Sequence, residues 1–250
     1  MTPRATESLE SRPPAPHDPP MDMIESLPLL TRGDWAGLSV LTAVWWGATW
    51  IVEHPPGRRP SVTTLMDRHR HAWMRQMLTR DGRNFDAAIV GNLRQGTAFF
   101  ASGSLFALGG VLALAGNSDR VAMLIENVPV ASGSAGAWQV KLVVSALLLT
   151  HAFLSFVWSN RLFGYCAVIM AATPEDHTDP NAPRCATQAA RLNIRAAHVL
   201  NRGLRSIYLA LVTLAWLLGW EALLVALAGF ALIIGWREFS PGAREVLTDG

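Results

Sequence analysis

The chain has 250 residues, half of them hydrophobic and only 16% charged, with a positive mean hydropathy and a net charge of +2. A soluble domain usually carries about 25% charged residues and disperses its apolar residues in periodic stripes. Here they are collected into uncharged blocks, which excludes an ordinary soluble domain. The fold class expected is all-α: a polytopic transmembrane helical bundle with membrane-proximal cytoplasmic helices.

Residues 1–34 are rich in proline and acidic side chains and have no amphipathic period, so a disordered tail is expected. The tail is not read as a secretory signal, because no small-residue cleavage site follows the first apolar block. That block runs from Trp35 to Val52, the second from Thr97 to Gly116, the third from Val140 to Trp158 and the fourth from Ile207 to Trp236. The fourth is too long for one crossing at 1.5 Å per residue, and Gly219, Trp220 and Glu221 interrupt it. A hairpin there gives crossings at about 35–52, 97–116, 140–158, 205–219 and 221–236, within a membrane domain of residues 35–238 and ahead of a short tail, 239–250.

All but one of the 21 basic residues are arginine, and their positions orient the crossings. Eight lie between Arg58 and Arg94 and six between Arg161 and Arg205, whereas the 117–138 segment holds only Arg120. The positive-inside tendency makes both Arg-rich segments and the C-terminus cytoplasmic and leaves the N-terminus outside. These arginines flank apolar blocks and form no nucleic-acid motif, so no nucleic-acid partner is expected. Phosphates of anionic lipids at the cytoplasmic face fit better.

After Pro60, Ser61 is a plausible helix N-cap, and Val62, Leu65, Met66, His69, Trp73 and Met77 share one helical face. A helix over about 61–79 is expected, lying in the membrane interface or packed against the other cytoplasmic segment. Asp81-Gly82 breaks it. A second helix starts at Asn84, carries Asp86, Asn92, Arg94 and Gln95 across the boundary, and continues into the membrane. Its inner part pairs small residues four apart: Ala98 with Ser102, Gly103 with Ala107, Gly109 with Ala113. Such faces let helix backbones approach closely in lipid. The simpler reading places the partner within the chain; another copy or another membrane protein is the alternative.

The runs "HAWMRQMLTRDGRNFDAAIVGNLRQGTAFFASGSLFALGGVLALAG", "HAFLSFVWSNRLFGYCAVIMAATP", "ARLNIRAAHVLNRGLRSIYLALVTLAW" and "WREF" follow one another in order. From about Trp35 to Val246 the chain resembles the bacterial integral-membrane family known as domain of unknown function 599. The resemblance implies a multi-pass protein of the bacterial inner membrane and implies no activity.

Chemistry must then come from the polar residues. His151 lies near the middle of the third block, where an ionisable group is by default a functional candidate, against the plainer reading of an imidazole hydrogen-bonded to a neighbouring helix. Glu221 is expected to be a solvated residue at the hairpin tip. Asn160 and Arg161 end the third crossing, where a snorkelling arginine is ordinary; pairing with Asp86 or Glu238 across the cytoplasmic mouth is the alternative. Asn193, His198, Asn201 and Arg202 lie on a helix continuous with the fourth block. His69-Arg70-His71 lacks further metal ligands, Cys166 and Cys185 read as free thiols, and no nucleophile, phosphate-loop or zinc-protease motif occurs, so no catalytic residue, cofactor or metal is expected. Three classes survive: a non-catalytic membrane component acting by helix packing, a small transporter or oligomeric channel using His151, and a lipid-modifying enzyme.

Overall fold

The structure, a computed structural model, describes residues 30–55, 60–117, 134–176 and 178–248. The proline-rich tail and most of the 117–138 segment lie outside the described residues. Among the described residues seven helices follow in order: α1 (Arg32–Glu53), α2 (Val62–Gln76), α3 (Asn84–Ala115), α4 (Ala135–Ala172), α5 (Ala182–Leu214), α6 (Trp220–Phe239) and α7 (Pro241–Thr248). Short 3₁₀ turns extend α2 over Met77–Thr79 and α5 over Ala215–Leu218. No strand occurs among the described residues.

Helices α1, α3, α4 from Gly136, and α6 are long and apolar enough to cross a membrane. The crossing expected over 205–219 is the C-terminal part of α5, and its contacts order the bundle. Arg205 reaches Glu53 at one end of α1, and Trp216 reaches Asp34 at the other. Gly219 then turns the chain back with φ of +133°, a conformation that glycine adopts without a Cβ clash. Helix α6 returns along α1 until Glu238 meets Thr63 at the start of α2. The described chain therefore begins at one end of the bundle and finishes at the other. Glu221 is exposed in the first turn after the hairpin, as expected.

Helix α1 begins three residues before the expected start at Trp35, so Arg32, Gly33 and Asp34 belong to the helix and not to the tail. A capping box causes this: Thr31 Oγ accepts the Asp34 N–H at 3.1 Å, while the Asp34 carboxylate accepts the Thr31 N–H at 3.0 Å. At this end α1 and α6 touch closely. A Cβ on Gly33 would stand 2.6 Å from the Trp220 indole, and one on Gly37 3.0 Å from Leu223.

The most intimate contact joins α4 to α5. Ala182, Ala189, Ala196, Gly203 and Ala210, each seven residues apart, are all buried along α5. Small side chains at that period let the two backbones approach, and Ser159 Oγ donates to the Ala196 carbonyl at 2.7 Å. At Gly203 a Cβ would meet the Phe156 ring at 2.7 Å. Gly203→Ala is accordingly expected to destabilise the protein by about 1–3 kcal/mol in thermal unfolding in detergent, with part regained by adding Phe156→Leu.

The small-residue faces of α3 do not behave this way. Gly103, Ala107, Gly109 and Ala113 are exposed, with nothing within 4 Å of a Cβ added at either glycine. Helix α3 packs on α4 through the opposite side, where Val90, Thr97, Ser104 and Ala115 are buried. The expectation of a partner within the chain is therefore corrected: four-residue spacing identified a small face without saying which way the helix is turned.

Helix α2 forms with Ser61 as its N-cap, its hydroxyl accepting the Thr64 N–H at 3.2 Å. It packs against α5, and its buried residues are Thr63, Leu65 and Met74, followed by Met77. Met66 and His69 lie on the outer side, so the expected face is turned by part of a turn toward α5.

Candidate functional site

Where α1, α2, α5 and α6 meet, the chain concentrates charge. Glu53 ends α1 and accepts a forked pair of hydrogen bonds from Arg202, at 2.7 Å from Nε and 2.5 Å from Nη2. The same carboxylate takes the Arg205 Nη2–H at 3.1 Å. Arg205 is 1% exposed, and its Nε and Nη1 groups are buried without a hydrogen-bond partner among the described residues. Glu238 completes the layer by accepting the Thr63 backbone and hydroxyl donors at 3.2 and 2.9 Å. Bidentate, charge-assisted bonds of this kind fix helix ends more firmly than single contacts do.

Above this layer, toward the middle of α1, lies a cavity of about 890 Å³. Trp45, Trp46, Trp50 and Ile51 form its apolar wall; Glu53, His54, His151 and Arg202 supply its polar groups. His54 stacks on Trp50 at 4.5 Å, and Trp45 meets the His151 ring edge to face at 5.1 Å. His151 Nδ1 lies 2.8 Å from Ser206 Oγ, and that hydroxyl also donates to the Arg202 carbonyl at 3.1 Å. With its proton so used, Ser206 accepts from Nδ1–H. His151 thus ties α4 to α5.

A second cavity, of about 400 Å³, adjoins the same arginine on the side away from the tryptophans. Arg191, Arg195, His198 and Arg202 recur along one face of α5 at steps of four, three and four, with His71 of α2 opposite. His198 Nε2 lies 3.1 Å from both Asp67 oxygens. Arg191 and Arg195 are exposed and make no ion pair among the described residues. Farther along, Arg70 donates to Asn193 Oδ1, and burial pushes its guanidinium below the ordinary value against the opposing pull of Asp67.

The remaining expected residues serve the join between α2, α3 and α4. Asp86 is fully buried, accepts the Trp73 indole N–H at 2.6 Å and pairs with Arg80 at 2.7 Å. Arg83 donates to the carbonyls of Met170, Thr173 and Pro174, closing the C-terminus of α4. Asn160 Nδ2 donates to the Arg94 carbonyl at 2.9 Å, while Asn92 and Arg161 are exposed. The proposed pairing of Arg161 with Asp86 or Glu238 is corrected. Asp86 sits level with residues 170–174 of α4, roughly 13 Å beyond Arg161 at helical rise, and Glu238 is engaged by Thr63 and Arg237. Cys166 is buried against the Ala189 carbonyl, Cys185 is also a free thiol, and no metal-binding group of His, Cys, Asp or Glu occurs among the described residues.

Three participants were not singled out from the sequence: Asp34, Lys141 and Glu53. Asp34 Oδ1 lies 3.0 Å from Lys141 Nζ and 2.7 Å from the Trp216 indole nitrogen, at the bundle end opposite Glu53. The signal available was the lysine itself, the one lysine of the chain, beginning an apolar block. Neither a curated protein nor a solved structure matches the chain. Residues 36–243, which take in these contacts except those of Asp34, match the family model described as Protein of unknown function, DUF599, and the chain belongs to that family.

Proposed function

We propose that the protein is a non-catalytic component of the bacterial inner membrane that works by helix packing, with a second copy of itself as the partner of α3. The supporting observation is the outer face of α3. Gly96, Gly103 and Gly110 recur every seven residues with nothing within 4 Å of an added Cβ, and Phe99 and Phe106 stand between them, 73% and 82% exposed. Lipid gives no reward for glycine, which costs a helix about 1 kcal/mol relative to alanine. A close helix neighbour does reward it, as the buried seven-residue series on α5 illustrates. Because one face carries both projecting rings and gaps at the same period, a twofold axis brings the rings of each copy over the glycines of the other. The arginine distribution supports a C-terminus on the cytoplasmic side.

Native mass spectrometry of protein released gently from membranes tests this. The wild type is expected as a dimer, and Gly103→Leu with Gly110→Leu as a folded monomer with a cooperative unfolding transition, since both positions point outward. A variant that stays dimeric overturns the α3 interface. A stoichiometric foreign subunit lost in the variant replaces the second copy by that subunit.

A further inference from the structure

The two cavities that share Arg202 have complementary chemistry, and we infer that together they hold one phosphorylated membrane lipid. Its acyl chain lies along Trp45, Trp46 and Trp50, and its phosphate sits against Arg191, Arg195 and Arg202. The larger cavity is open on its apolar side and offers a tail flat aromatic surfaces. The smaller is basic, with Asp67 as its one carboxylate, itself engaged by His198. Arg191 to Arg202 covers eleven residues, about 16 Å of helix, so the stripe runs from the cavity out into the headgroup region. Within it Arg202 is committed to Glu53, whereas Arg191 and Arg195 have forks to spare for phosphate oxygens.

Charge complementarity selects the occupant. Glu53 and Asp67 carry two negative charges against the four arginines Arg191, Arg195, Arg202 and Arg205, so the junction is cationic whatever the state of His54, His71, His151 and His198. Basic pockets between membrane helices retain anionic headgroups. The volumes agree with that division: about 890 Å³ beside the tryptophans for hydrocarbon and about 400 Å³ for the head. Nothing in this depends on the state of association through α3, which lies across α4 from the cavity.

The test is native mass spectrometry of the full chain in detergent after incubation with phosphatidic acid, with diacylglycerol of the same chains, or with inorganic phosphate. Phosphatidic acid is expected to be retained one to one. The Arg191→Gln, Arg195→Gln double variant, at exposed positions, is expected to weaken retention about thirtyfold. Trp46→Ala with Trp50→Ala, also exposed, is expected to weaken it as well, and unfolding curves of each variant confirm the fold. Equal retention of diacylglycerol reduces the cavity to an ordinary lipid-covered surface. Displacement of the lipid by phosphate alone assigns the site to free phosphate. Unchanged retention by the arginine variant overturns the headgroup assignment. A monomeric wild type leaves this proposal standing and defeats only the dimer.

Discussion

Lys141→Met is expected to destabilise the protein by about 3–5 kcal/mol, the usual cost of breaking one partner out of a buried ion pair. Lys141 is 2% exposed and lies 3.0 Å from Asp34, with a further bond from Nζ to the Trp216 carbonyl at 3.2 Å. Its removal leaves the Asp34 carboxylate facing the bundle with neutral donors alone. That carboxylate caps α1 through Thr31 and accepts the Trp216 indole N–H at 2.7 Å, so the loss is felt at the start of α1 and at the α5–α6 hairpin together. Adding Asp34→Asn removes the stranded charge while keeping an acceptor for the cap. The double variant is expected to recover most of the loss, a coupling that unfolding curves of the four proteins measure directly. A cost for Lys141→Met below about 1 kcal/mol would place the pair in contact with water, at the strength of a surface salt bridge.

The helices were legible in the sequence because their signals are physical and local. Uncharged blocks near bilayer length marked the spans, Ser61 marked the start of α2, and a glycine before an acidic residue marked the turn at 219. What escaped was long-range. Asp34 and Lys141 are 107 positions apart, and Glu53 and Arg205 are 152 apart; no periodicity connects them. The small residues show the limit most clearly. The α3 stripe was visible as four-residue spacings, and the structure turns it outward. The buried series on α5 has a period of seven and lies partly in an Arg-rich segment that reads as cytoplasmic, so it drew no notice. Spacing tells that a face is smooth, and only the neighbours tell what it touches. His151 was found because a histidine in an apolar block is rare, yet its partner Ser206 could not be deduced. The charge of Arg161 suggested an ion pair across the mouth, but α4 continues to Ala172, which carries the level of Asp86 well past it.

The two arginines around Glu53 are expected to respond in opposite ways to loss of charge. Glu53→Gln should cost about 3–5 kcal/mol, because Arg205 is 1% exposed and has no other carboxylate bonded to it. Arg202, its side chain 45% exposed, can turn to water. Arg205→Met leaves Glu53 with its forked Arg202 bonds at 2.7 and 2.5 Å, so no charge is stranded. It also removes two buried N–H groups without partners, each a burden of about 1–3 kcal/mol. A neutral or stabilising effect is therefore expected for Arg205→Met alone, and adding it to Glu53→Gln should restore much of the lost stability. Thermal unfolding of the three variants, first in detergent and then in bilayers containing anionic lipid, separates the possibilities. If Arg205→Met proves the more damaging change only in the lipid bilayer, the two free N–H groups of Arg205 are satisfied there by water or lipid oxygen, and its charge serves the headgroup region as well as Glu53.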